Sequence, residues 1–134
     1  MFRRLQPRFS LRAFLIFVAL CAGGLVIARE WAKVRDAREG YSHACALWEA
    51  RRIRLTEVVD AATRLFEVES ATLWIGNSEA VDRQEERLTD LVERAEASVR
   101  TTMFSSRDGR ERLLNQCEQI RARISDLRSP AEKN

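Results

Sequence analysis

Residues 55–99 read LTEVVDAATRLFEVESATLWIGNSEAVDRQEERLTDLVERAEASV. This stretch decides the fold. On its first half, apolar side chains recur at helical spacing as Leu55, Val58, Ala62, Leu65 and Leu73, with Val59 and Phe66 beside them and Trp48 seven residues upstream. The opposite face carries Arg51, Arg54, Glu57, Arg64 and Glu67, and Asp60 sits four residues before Arg64, at helical reach. Gly76-Asn77-Ser78 interrupts the pattern. Gly or Asn suits a left-handed helix C-terminus, and Ser78 suits an N-cap, so a second helix is predicted from about Glu79. Its stripe is Val81, Leu88, Val92, Ala95, Val99 and Met103.

Downstream, Ser105-Ser106-Arg107-Asp108-Gly109 marks a second candidate break. Leu113, Cys117, Ile120, Ile124 and Leu127 then follow alternating steps of four and three, a heptad seam. Upstream, Glu30 to Ile75 contains no Pro and only Gly40 as glycine. As helices, Glu30–Ile75 and Glu79–Arg128 would be about 70 and about 75 Å long. Arms of matched length joined by Gly-Asn-Ser predict a long antiparallel helical hairpin, a coiled coil over 30–128 with its turn near 76–78. A three-helix bundle bending at Ser105–Gly109 is the alternative. A single seam makes a thin core, so self-association or a helical protein partner is expected.

The N-terminal side has a different character. Ala13–Ala28 reads AFLIFVALCAGGLVIA, uncharged, and follows Arg3, Arg4, Arg8 and Arg12. Extended to Leu11 with Arg12 snorkelling, it is 18 residues, the lower edge of a membrane-crossing helix. Three readings stand: a signal anchor that spans the membrane (13–29), a cleaved signal peptide with Val26-Ile27-Ala28 before the cut, and a buried core helix. Lipoprotein anchoring is disfavoured, because bulky Leu20 precedes Cys21. Cationic residues flank both ends, with Arg29, Lys33, Arg35 and Arg38 beyond the span, so charge alone does not orient it. A short N-terminus before a larger polar domain favours an N-terminus in the cytoplasm and a periplasmic C-terminal domain, in the inner membrane of a bacterium. The chain thus divides into a basic segment 1–12, the span, the helical region, and a disordered tail 129–134. The fold class expected is all-α.

The segment Arg54-Leu55-Thr56-Glu57-Val58-Val59-Asp60-Ala61, continued by Leu65-Phe66-Glu67-Val68-Glu69-Ser70-Ala71, resembles the helical repeat of TolC-type outer-membrane efflux proteins. Arg87–Ile124 resembles a second such helix. The resemblance implies a periplasmic coiled-coil hairpin and not a channel, since no alternating β-strand segment is present. The opening Arg8-Phe9-Ser10-Leu11-Arg12 is similar to the start of many short bacterial single-span proteins.

Chemistry-bearing residues are few. With 23 Lys and Arg against 20 Asp and Glu, the net charge is +3, and the helical region interleaves its signs, so no nucleic-acid partner is expected. His43, the single histidine, and Cys45 point about 200° apart on a helix, so no shared metal is expected. In the hairpin register, Cys45 and Cys117 are offset by about 12 Å, too far for a disulfide, an objection that weakens in a three-helix bundle. Cys117 is read as a small apolar seam residue, and Cys45 as a candidate for an intermolecular bridge. Glu69 interrupts the first apolar stripe; it is expected to pair with an Arg across the seam or to sit at a packing gap, with a pKa-shifted carboxyl as the alternative. No nucleophile motif or phosphate loop is present. No enzymatic activity, cofactor, metal or small-molecule substrate is expected.

Trp31 fits a membrane-interface belt. Trp48, Phe66 and Trp74 are the candidate interaction residues, with packing as their plainer role. The seam expected is Leu55, Val58, Ala62, Leu65, Leu88, Val92, Val99, Leu113, Cys117, Ile120, Ile124 and Leu127. The function expected is a membrane-anchored periplasmic coiled-coil scaffold or adaptor, contacting lipid through 13–28. The alternatives are a secreted helical protein cleaved near Ala28, and an accessory component of a transport or efflux system.

Overall fold

A computed structural model describes residues 10–72, 74–101 and 107–129. Most of the basic segment 1–12, the tail from Pro130, Leu73, Met103 and the Ser105-Ser106 pair lie outside the described residues. Among the described residues the protein is all-α, with four helices and no strand: α1 Leu11–Glu49, α2 Leu55–Ser70, α3 Asn77–Arg100 and α4 Arg107–Arg128. An apolar N-terminal helix is followed by helices that pack on one another. The chain forms two compact units, Met1–Lys33 and Val34–Asn134, whose boundary falls within α1.

In the first unit, Ser10 caps α1. Its Oγ accepts the Ala13 amide at 3.2 Å, which satisfies one of the donors a helix start leaves open. The apolar side chains that follow face solvent: Phe17 is 64% and Leu25 73% exposed. The buried-core reading of this segment is therefore overturned. Leu11–Arg29 contains no buried residue.

In the second unit, ion pairs give the helix directions. Arg38 meets Glu69, and Glu49 meets Arg94, so the later part of α1 runs antiparallel to α2 and parallel to α3. Glu96–Arg121 and Glu85–Arg128 make α4 antiparallel to α3. The core gathers Leu55, Val58 and Val59 from α2, Leu88, Leu91, Val92, Ala95 and Val99 from α3, and Leu113, Cys117 and Ile120 from α4. Tyr41, Ala44, Cys45 and Trp48 of α1 pack against it, with Ile53, Ile124 and Leu127. Ala62 and Leu65 are buried as well. Leu88 and Val92 are joined on their face by Leu91 and Ala80, so α3 buries a broader stripe than a two-stranded seam would, as a helix with neighbours on more than one side must.

The arm expected to run unbroken from Glu30 to Ile75 is broken at Ala50–Arg54. The Arg52 amide donates to the Leu47 carbonyl and the Arg51 amide to the Trp48 carbonyl, both at 2.8 Å. That pair of bonds is a Schellman C-cap, and it needs a left-handed residue at the position where Arg51 sits, with φ 57°. Arg at that position costs energy that Gly would not, and this is why nothing in Ala50–Arg54 signals a break. Arg54 then starts α2, its amide donating to the Glu57 carboxylate at 3.3 Å. At the next connection Gly76 is the N-cap of α3, with φ −61° and ψ 145°, and is not a left-handed end to α2. Asn77 and Ser78 are taken into α3, two residues ahead of the expected start. Arg107, Asp108 and Gly109 likewise belong to α4.

Arg51→Gly should raise the stability of the chain by about 1 kcal/mol, because it relieves the left-handed strain and leaves the cap bonds in place. Urea unfolding followed by tryptophan fluorescence reads this as a higher midpoint. A lower midpoint would mean that the Arg51 side chain contributes more than its backbone strain costs.

Candidate functional site: a buried carboxylate among arginines, and a basic cavity

Two arrangements in the second unit concentrate charge. The first centres on Glu69, in the last turn of α2. A carboxylate at this register falls on the stripe formed by Val58, Ala62 and Leu65, so helix formation carries it into the interior, where its exposure is 0%. Three guanidinium groups meet it there. Arg87 Nη2 donates to Oε2 at 2.7 Å, Arg38 Nη2 to Oε1 at 3.2 Å, and Arg83 Nη1 lies 3.6 Å from Oε1. Arg83 also holds Glu79 at 2.5 Å. The donors come from two helices: Arg38 from α1, and Arg83 and Arg87 one turn apart on α3. Sequence spacing identifies Glu69 as anomalous, but its partners Arg83, Arg87 and Arg38 lie 14, 18 and 31 residues away and carry no local signal. Burying an ion is costly unless its oxygens are satisfied, and Glu69 has both oxygens occupied. The arrangement is not fully closed, for Arg87 Nη1 and Gln84 Oε1 are buried without a hydrogen-bond partner.

The second arrangement is a cavity of about 670 Å³ at the chain break. Its apolar wall is Trp48, Ile53, Leu55 and Leu113, from α1, the connection, α2 and α4. Around that wall stand Arg51, Arg54, Arg94 and Arg112, with Glu49 as the single lining carboxylate. Glu49 is already engaged by Arg94 at 2.9 Å. The cavity exists because the chain reverses at Ala50–Arg54; an unbroken arm would fill that space with helix. Elsewhere, α3 presents a row of carboxylates, Asp82, Glu85, Glu86, Asp90 and Glu93. Two of these are paired, Glu85 with Arg128 and Asp90 with Arg94. The bond from Arg128 holds the Glu85 carboxyl below the usual range.

Of the residues singled out for interaction, Trp48 and Phe66 are half-buried and Trp74 is 39% exposed. Trp48 is the one that lines the cavity. Ten of the twelve expected seam residues, Leu55 through Ile120, are buried, and Ile124 and Leu127 are half-buried near the end of α4. His43 is exposed, and among the described residues no group of three or more His, Cys, Asp or Glu is placed to hold a metal.

All three cysteines are free. Cys45 packs against the core and hydrogen-bonds Tyr41, whose hydroxyl is pushed up first by burial and then by that bond. Cys117 is 1% exposed, and burial, then the nearby Glu96, raises its thiol above the ordinary range.

No protein family, curated protein or solved structure matches the chain. The likeness to the hairpin repeat of TolC-type proteins therefore finds no support beyond the all-helical fold itself.

Removing one side of the Glu69 cluster should be severe. Glu69→Ala leaves the largely buried Arg87 guanidinium without its counter-charge and should cost about 3–5 kcal/mol, read as a lower urea midpoint. Arg38→Ala should cost much less, because that side chain is 48% exposed and water screens the charge it leaves behind. Equal losses for the two would rule out this account of the cluster.

Cys117 should resist alkylation in the native chain at pH 8 and react readily once the chain is unfolded in urea. Its folded pKa lies above the unfolded value. Its stabilising contribution is therefore complete below the ordinary thiol pKa of about 8.5 and is lost as pH rises above it. Mass spectrometry of the alkylated chain would contradict this if Cys117 labelled as fast in the native chain as in the unfolded one.

Proposed function

We propose that this chain is a single-span membrane protein whose helical bundle acts as a scaffold or adaptor for another helical protein or for a second copy of itself. The observation that carries the reading is α1. It is long and apolar enough to cross a bilayer, and its apolar window is 0% buried. An N-terminal signal sequence meets the same description. Large exposed apolar surface is unfavourable in water and favourable in lipid, where a helix also satisfies every backbone polar group internally. Arg12 at the start of the span and Arg29 at its end fit snorkelling toward headgroups, and Trp31 fits the interface.

The proposed orientation has the N-terminus in the bacterial cytoplasm and the bundle in the periplasm. Supporting the scaffold reading is a charged surface of alternating sign over a narrow core, a composition suited to side-by-side helix contact. The runner-up is a secreted helical domain released after Ala28, favoured by Val26-Ile27-Ala28.

Carbonate extraction with intact-mass measurement separates them. The anchored protein should stay in the membrane pellet as the whole chain. A soluble product starting at Arg29 would replace the anchor with secretion. Crosslinking of the retained protein should then give a discrete adduct, either a dimer or a partner; a ladder of random products would count against a scaffold.

A further inference from the structure

The cavity at the chain break has features that a scaffold does not need. Its volume, about 670 Å³, lies in the range of small-ligand sites. One side is apolar and partly indole, from Trp48, Ile53, Leu55 and Leu113. The charge around it is one-sided. Arg94 is neutralised by Glu49 and Asp90, but Arg51, Arg54 and Arg112 have no ion-pair partner among the described residues. Directional polar groups are sparse. The Ser98 hydroxyl is already spent on the Ala95 carbonyl at 2.7 Å, which leaves Gln116. A sugar or nucleobase, read by several directed hydrogen bonds, finds little there. Finally, Arg51 lines the cavity from a left-handed backbone position at which Gly would be more stable.

We infer that this cavity binds a single-chain anionic amphiphile, an acyl carboxylate whose chain lies on the Trp48–Leu113 wall and whose head is held by Arg51, Arg54 and Arg112. The apolar wall takes the chain without needing directed bonds, and the forked guanidinium groups match a carboxylate. This site is independent of the scaffold reading and stands whether or not the span is retained.

The test uses the full chain in discs of zwitterionic phosphatidylcholine, with Trp31→Phe and Trp74→Phe so that Trp48 is the remaining indole. Addition of 12-bromododecanoate should quench Trp48 saturably, and unbrominated dodecanoate should reverse the quenching. Each methylene removed from the competitor should weaken it about fourfold. Arg51→Gln combined with Arg112→Gln should weaken binding at least about tenfold with helicity unchanged by circular dichroism. A second readout needs no tryptophan substitution: saturating dodecanoate should raise the thermal midpoint of the natural chain and raise that of the arginine variant distinctly less. The inference is overturned by quenching that never saturates, by equal quenching from 12-bromododecyltrimethylammonium, or by indifference to the arginine substitutions. Binding of a glutamate-rich helical peptide with no response to dodecanoate would also overturn it, in favour of a protein partner.

Discussion

A carboxylate with no access to water, at Glu69, is the constraint on which the bundle depends. An ion in an apolar interior is tolerable only if opposite charge arrives with good geometry. Here that charge must come from two other helices, so Glu69 fixes the positions of α1 and α3 relative to α2 in one step. Apolar packing alone would not do this. Val, Leu and Ala stripes slide past one another at small cost, whereas a displaced guanidinium leaves a buried charge unmet. The exposed pairs along α3, to Arg121 and Arg128 of α4, contribute less energy but act in the same sense, because a slip by one turn of about 5.4 Å would separate both.

Much of the fold can be read from residue spacing. The stripes on α2, α3 and α4 are those the periodicity marks, since burial of one face is what makes an amphipathic helix stable. The connection around Gly76 is legible as a break, although the chemistry of its cap is not: Gly76 serves as the first capping residue of α3, and Asn77 and Ser78 simply continue into the helix. The division of the first arm at Ala50–Arg54 is illegible. It relies on Arg51 in a conformation that propensity assigns to Gly, and only tertiary packing of Trp48 and Ile53 repays that strain.

The site was less legible than the fold, for a related reason. Glu69 is conspicuous as a charge on an apolar stripe. Arg38, Arg83 and Arg87 look like ordinary members of a solvated, sign-alternating surface, and nothing local distinguishes them from Arg64 or Arg100. The cavity follows from the unforeseen break, so none of its arginines could be grouped before α1 was known to end at Glu49. Trp48 was conspicuous by type, but whether it faced a partner or the interior depended on that same ending.

The placement of α3 between its partners also has a kinetic meaning. Contacts that close short loops lose the least chain entropy. Glu69 and Arg87 are 18 residues apart, Glu96 and Arg121 25, and both join helices that are neighbours in sequence. Glu49 and Arg94 are 45 apart. Closing that longer loop costs about 0.8 kcal/mol more than closing the 18-residue one. The cheapest closure is the α2–α3 hairpin, and it places the buried carboxylate beside Arg87 before α1 has to dock. The charge with the most to lose from waiting is thus the one whose counter-ions on α3, Arg83 and Arg87, close the shorter loops.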